Sequence, residues 1–180
     1  MSDQPFLTDI KTLRERARRH MEQGAVTEGY GADREQVIKI LNEALATEIV
    51  CVLRYKSHYF RADGINASVA AEEFFEHAQQ EQDHADWLAE RIVQLGGKPN
   101  FSPEGLASRS HSEFVEGDSL KEMIQEDLVA ERIAIDSYRE IIQYLGDKDP
   151  TSRRIMEDIL AQEEEHADDM AGLLADIDRA

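Results

Sequence analysis

The stretch Met156–Leu173, MEDILAQEEEHADDMAGL, decides how this chain folds. Met156, Ile159, Glu163, His166, Met170 and Leu173 recur at alternating steps of three and four residues, and Ile177 continues the series. That period places them on one face of an α-helix. Two members of the face are not apolar. Glu163 and His166 stand where aliphatic side chains would complete a core, and their i,i+3 spacing brings them together on the same side of the helix.

The same interruption recurs upstream. One segment reads Ile38, Leu41, Leu45, Glu48, Val52, Tyr55; a second reads Phe74, His77, Glu81, His84, Leu88; a third reads Leu128, Glu131, Ile135, Tyr138, Ile142, Leu145. Every long segment therefore turns a carboxylate toward its apolar stripe. Punctuation separates the segments. Asp33, followed three residues later by Gln36, resembles a capping box that opens the first helix, which ends near Asp63-Gly64. The second helix begins around Asn66 to Ser68 and stops at Gly96-Gly97, with Pro99 beyond. Asp118 or Ser119 caps the third, and Asp149-Pro150 supplies an N-cap and a first-turn proline for the fourth. Residues 98–117, rich in Gly, Pro and Ser, read as a long crossover with room for a short helix. No strand alternation competes, so the expected fold is all-α: an antiparallel four-helix bundle over residues 33–180. Residues 1–32 form an N-terminal extension that is helix-compatible from Phe6 to Gln23.

Composition bounds the function. The 180 residues fit one domain with an appendage; 41% are apolar and 32% charged, with only 10 Gly and 4 Pro, which excludes collagen-like and disordered classes. Acidic residues outnumber basic ones 38 to 20, giving a net charge of −18, a field that repels nucleic acid and attracts cations. The single cysteine, Cys51, excludes an internal disulfide; it sits off the stripe and reads as a buried, inert thiol. No run approaches the roughly 20 apolar residues that span a bilayer, and the start of the chain has no apolar leader, so the expected location is the cytoplasm, with no membrane partner.

Four inward carboxylates need positive charge among them, because burial and mutual repulsion both oppose ionisation. Glu48 precedes the pair Glu81/His84 by 33 residues, and Glu131 precedes Glu163/His166 by 32. In an antiparallel hairpin such a separation sets the lone glutamate opposite the Glu/His pair, so six donors converge at mid-bundle. Two divalent ions balance four carboxylates, and oxygen donors with one imidazole per ion suit iron or manganese better than a closed zinc site.

The residues that carry these features resemble the ferritin-like superfamily, within it the bacterioferritins and the miniferritins related to DNA-protecting starvation proteins. Leu41-Asn42 leading to Glu48, Tyr55 and His58 is similar to the first bacterioferritin helix. Glu81-Gln82-Asp83-His84-Ala85-Asp86 resembles the second, Asp127-Leu128 before Glu131 the third, and Ile159-Leu160 through Glu163-Glu164-Glu165-His166 the fourth. The resemblance implies that Glu48, Glu81, His84, Glu131, Glu163 and His166 hold two iron ions per subunit, with Glu81 and Glu163 or their partners bridging. It also implies an iron-storage ferroxidase that oxidises Fe(II) with O₂ or H₂O₂. Tyr55 is either core packing or a redox-active neighbour of the metals. Gln82 stands where bacterioferritins carry a haem-ligating methionine, which argues against haem. Fourteen residues follow His166, too few for the fifth helix of larger cages, so a homo-oligomeric dodecamer is favoured over a 24-mer. The alternatives are a manganese catalase, a rubrerythrin-like peroxidase or a DNA-protective shell. In residues 1–23 five basic residues face four acidic ones, too weak a balance for a DNA-binding arm. His77 reads as a plain bundle histidine or, with Glu76, as part of an iron path, and His20, His58 and His111 as ordinary polar residues.

Overall fold

The computed structural model describes residues 7–64 and 67–179, and among them there is no β-strand. Six α-helices run in order: α1 (Ile10–Arg16), α2 (Arg34–Arg61), α3 (Ala67–Gln94), α4 (Leu106–Arg109), α5 (Leu120–Leu145) and α6 (Pro150–Ile177). The expected caps form. The side chains of Asp33, Ser119 and Asp149 accept the backbone N–H groups of Gln36, Glu122 and Ser152, satisfying donors that the first helical turn leaves free. Asn66, one of the expected starts of α3, lies outside the described residues.

Short connections make α2/α3 and α5/α6 into hairpins, which join through α2 against α5 and α3 against α6. The 25-residue segment 95–119 crosses between the hairpins and carries α4, which lies against α2. Gly117 ends this segment with φ +63°, and a Cβ there would stand 2.9 Å from the Met123 backbone nitrogen, so only glycine fits where the chain enters α5.

The apolar core is divided in two. Val37, Leu41, Leu45, Leu88, Ile92, Leu145, Met156 and Ile159 fill one end. Tyr55, Phe74, Met123, Ile124 and Met170 fill the other. Along each long helix the interval between these clusters is where the inward carboxylates lie. Ile38, Leu128, Ile142, Leu173 and Ile177 are only half-buried rather than central, because the bundle turns Val37, Ile124 and Ile141 inward beside them.

The N-terminal extension is less helical than Phe6–Gln23 suggests. Phe6 lies outside the described residues, α1 spans seven residues, and a 3₁₀ turn occupies Met21–Gln23. Two causes act together. Arg14, Arg16, Arg18 and Arg19 crowd positive charge onto neighbouring turns, and α1 buries no residue against the bundle, leaving a short helix without tertiary support.

Candidate metal centre

The polar layer between the two core clusters is built from one glutamate on α2 (Glu48), Glu81 and His84 on α3, Glu131 on α5, and Glu163 and His166 on α6. All six are at most 2% exposed. His84 Nδ1 stands 3.3 Å from Glu48 Oε2, 3.4 Å from Glu81 Oε2 and 3.2 Å from Glu163 Oε1. His166 Nδ1 stands 3.4 Å from Glu81 Oε1, 3.6 Å from Glu163 Oε2 and 3.8 Å from Glu131 Oε2.

Two donor groups result, Glu48/Glu81/His84/Glu163 and Glu81/Glu131/Glu163/His166, each with its atoms within 4.8 Å of one another. Glu81 and Glu163 belong to both. Each offers one oxygen to either imidazole, the arrangement expected of carboxylates placed between two cations. A cation about 2.0–2.2 Å from each donor separates neighbouring donors by roughly 3.0–3.6 Å, close to the spacings found.

The hydrogen-bond pattern tests whether a metal fits. Among the described residues, eight buried side-chain nitrogen and oxygen atoms have no hydrogen-bond partner, and seven belong to this layer: both oxygens of Glu81 and of Glu163, Glu131 Oε2, His84 Nε2 and His166 Nδ1. Stranding so many polar atoms in a core is costly unless something coordinates them.

Electrostatics give the same answer. Burial, then the charges of Glu81 and Glu163, push Glu48 well above the usual carboxylate range; burial, then Glu163 and Glu81, do the same to Glu131. Burial also opposes ionisation of Glu81, but the nearby Glu48 carboxyl and the imidazoles of His166 and His84 outweigh it and hold this carboxyl low. Glu163 is likewise lowered against its burial and the charge of Glu81 by His166, His84 and Glu131. His84 and His166 gain proton affinity against burial because carboxylates surround them, His166 being pushed up to about 12. Without metal the layer thus holds protons as its counter-charge.

Two tyrosines brace the layer with a pseudo-twofold symmetry. Tyr55, seven residues after Glu48 on α2, donates its hydroxyl across the bundle to Glu131 Oε1 at 2.5 Å. Tyr138, seven residues after Glu131 on α5, donates back to Glu48. Burial, followed by the charge of the carboxylate each one meets, raises both phenols and keeps them protonated as donors. Gln80 Oε1 accepts from His166 Nε2 at 2.7 Å, which turns Nδ1 toward the carboxylates.

The structure thus brings all six expected donors together and sets Tyr55 against one of them. Tyr138 reads from the sequence only as a stripe residue, although its seven-residue offset from Glu131 repeats that of Tyr55 from Glu48. Gln80 has no sequence signal. His58, read as an ordinary polar residue, is fully buried, with Nδ1 2.8 Å from Asp127 Oδ2 and Nε2 3.0 Å from the Val115 carbonyl. Arg54, also fully buried, donates to Asp127 Oδ1 at 2.8 Å and to the Glu113 carbonyl at 3.1 Å, so these residues tie the crossover to α2 and α5. Cys51 is buried as expected, 3.6 Å from Ser112 Oγ, and burial drives its thiol pKa up. His77 lies beside the centre. Its Nδ1 is 3.2 Å from the Tyr55 hydroxyl, its ring stacks on His166 at 4.0 Å, and burial followed by the charge of His166 lowers its pKa to about 4. Glu76 is exposed at the surface, and Gln82 faces outward toward Asp86.

Fold and donor set together define a class: four-helix bundles that project a glutamate from each of two helices and a Glu-x-x-His pair from each of the other two. Residues 38–180 match the family model of the ferritin-like domain, and the chain belongs to that family. The bacterioferritin of Brucella melitensis is 34% identical over 136 residues, covering 74% of this chain and 79% of the relative. Among solved structures, the bacterioferritin-related protein of Bacteroides fragilis, a dodecameric thioferritin, superposes with a TM-score of 0.79 at 31% identity, covering 83% of this chain and 90% of that one. Dps from Thermosynechococcus elongatus superposes with a TM-score of 0.74 at 20% identity, covering 78% and 90%, a likeness of fold. Among the described residues no helix is long and apolar enough to cross a membrane.

Proposed function

We propose that this chain is a ferroxidase that takes Fe(II) as substrate, oxidises it with O₂ or H₂O₂ inside the bundle, and passes Fe(III) to storage as a mineral. The observation that carries this reading is the pair of donor groups sharing Glu81 and Glu163, buried and otherwise without partners. Bound there, a pair of iron ions supplies two electrons at one place, enough to reduce H₂O₂ and two protons to two waters, or O₂ and two protons to H₂O₂. Glu48 with His84 and Glu131 with His166 hold the two outer positions. Tyr55 and Tyr138 fix the outer carboxylates, and the apolar clusters on either side exclude bulk water. The acidic composition favours cation capture.

A dodecameric shell is the assembly we infer, supported by the dodecamer formed by the Bacteroides fragilis relative. The same oxygen-rich donors suit manganese, so metal analysis after expression with both metals accompanies the kinetic test. Glu131→Gln and Glu163→Gln remove the charge of one outer and one shared donor at nearly unchanged volume. Both variants are expected to lose the rapid phase of Fe(II) oxidation. Full activity in either refutes the assignment, and strong O₂ release from H₂O₂ by manganese-loaded protein replaces it with a catalase.

A further inference from the structure

On the α3/α6 side of the centre, the ring of His77 is 2% exposed, yet its Nε2 looks out at two surface carboxylates. Glu73 Oε2 is 3.7 Å away and Asp169 Oδ2 is 3.4 Å away, with the carboxylate side chains 35% and 50% exposed. Glu73 and His77 share a face of α3 at i,i+4, and Asp169 lies one turn beyond His166 on α6. The three donor atoms lie within 4.8 Å of one another.

A contact on the inner side fixes which way the ring faces. The Tyr55 hydroxyl has one proton and donates it to Glu131, so the contact between its oxygen and His77 Nδ1 at 3.2 Å is made by an Nδ1–H. Nε2 is therefore the ring nitrogen left to face the two carboxylates. A buried imidazole nitrogen and two carboxylates thus converge at one point of the surface, a donor set that suits a divalent cation.

The pseudo-symmetry of the bundle shows that this group is not a by-product of the repeated motif. Applying the offsets of Glu73 and His77 from Glu81 to Glu163 gives Ile155 and Ile159, and the offset of Asp169 from His166 applied to His84 gives Trp87. One flank of the centre is closed by Ile159 and by the indole of Trp87, 5.4 Å from the His84 ring. Only the other flank is polar.

We propose that Glu73, His77 and Asp169 form a third divalent-cation site, which receives an incoming ion such as Fe(II) at the surface and passes it inward beside His166. The stacking of His77 on His166 makes the inner edge of this site continuous with the Glu131/His166 donor group. The role in delivery rests on the proposed function of the centre; the cation site itself does not.

Co(II), stable in air at such sites, is the probe. Crystals of the full chain equilibrated with Co(II) are expected to show three anomalous peaks per chain, the third between Glu73, His77 and Asp169. Glu73→Gln/Asp169→Asn, altered only at exposed side chains, is expected to lose that peak and retain the central pair. Two filled central positions with no third peak in the wild type, or a third peak that survives in this variant, overturn the site. Glu48→Gln/Glu131→Gln separates the two readings, because the outer peak is expected to persist when the central pair is lost. A wild type that shows only the outer peak contradicts the centre and not this site. In stopped flow with less than one Fe(II) per chain, Glu73→Gln/Asp169→Asn is expected to slow oxidation about tenfold, the lower end of electrostatic steering effects, with the saturating stoichiometry unchanged. An unchanged rate overturns the delivery role.

Discussion

Asp127→Ala is expected to damage the protein severely without touching the metal donors. Asp127 is fully buried between Arg54, whose Nε is 2.8 Å from one carboxylate oxygen, and His58, whose Nδ1 is 2.8 Å from the other. Removing it strands a guanidinium that is fully buried. Breaking a fully buried pair in this way costs about 3–5 kcal/mol, against less than about 1 kcal/mol for an exposed pair. For a chain of this length each kcal/mol lowers Tm by about 2–4 °C, so the metal-free variant should melt about 6–20 °C below the wild type. The assay is thermal unfolding followed by far-UV circular dichroism, with chelator present and protein concentration held fixed. Arg54→Met strands the carboxylate instead and is expected to cost a similar amount. In Arg54→Met/Asp127→Leu neither charge is left behind, so that protein should be more stable than either single variant. A loss below about 1 kcal/mol for Asp127→Ala, or a double variant as unstable as the two single losses added together, refutes the reasoning.

Loading metal-free protein with two Co(II) per chain near pH 7 should release at least two protons, from His84 and His166, and up to four as Glu48 and Glu131 ionise; a pH-stat titration counts them. These four groups hold protons more tightly in the metal-free fold, so apparent metal affinity must fall as pH falls, and an affinity independent of pH contradicts the charge assignment. Tyr138→Phe should weaken the ion on the Glu48/His84 side about 10–100-fold and Tyr55→Phe the one on the Glu131/His166 side, resolved by Co(II) absorption titration; equal effects on both ions would count against the crossed bracing. Gly117→Ala forces a Cβ to within 2.9 Å of the Met123 nitrogen at a φ of +63° and should cost about 1–3 kcal/mol in thermal unfolding, with a neutral result showing that the entry to α5 relaxes freely.

Much of the bundle and its donors was legible in one dimension because both follow from helical periodicity. A stripe fixes which face is buried, and Glu48, Glu81, His84, Glu131, Glu163 and His166 interrupt four stripes at matching heights. The seven-residue offset of Tyr138 from Glu131 was equally visible, but only the bracing of Glu131 by Tyr55 gives that repeat a meaning. The Arg54–Asp127–His58 cluster was not legible, since Asp127 lies 69 residues from His58 and 73 from Arg54 and meets them only once α2 packs on α5. His77 was ambiguous for a related reason. Its neighbours Glu73 and Tyr55 fit a plain bundle histidine, and Asp169 joins them only when α6 packs on α3. The short α1 reflects the absence of a partner surface, which composition does not encode.

The most direct test mixes anaerobic protein, loaded with two Fe(II) per chain, with H₂O₂ or O₂ in a stopped-flow spectrometer. Wild-type protein should oxidise both irons in one rapid phase that saturates at two per chain and is absent from Glu163→Gln. Oxidation no faster than in buffer, or a rapid phase that saturates at one iron per chain, would contradict a dinuclear ferroxidase built on the shared Glu81 and Glu163.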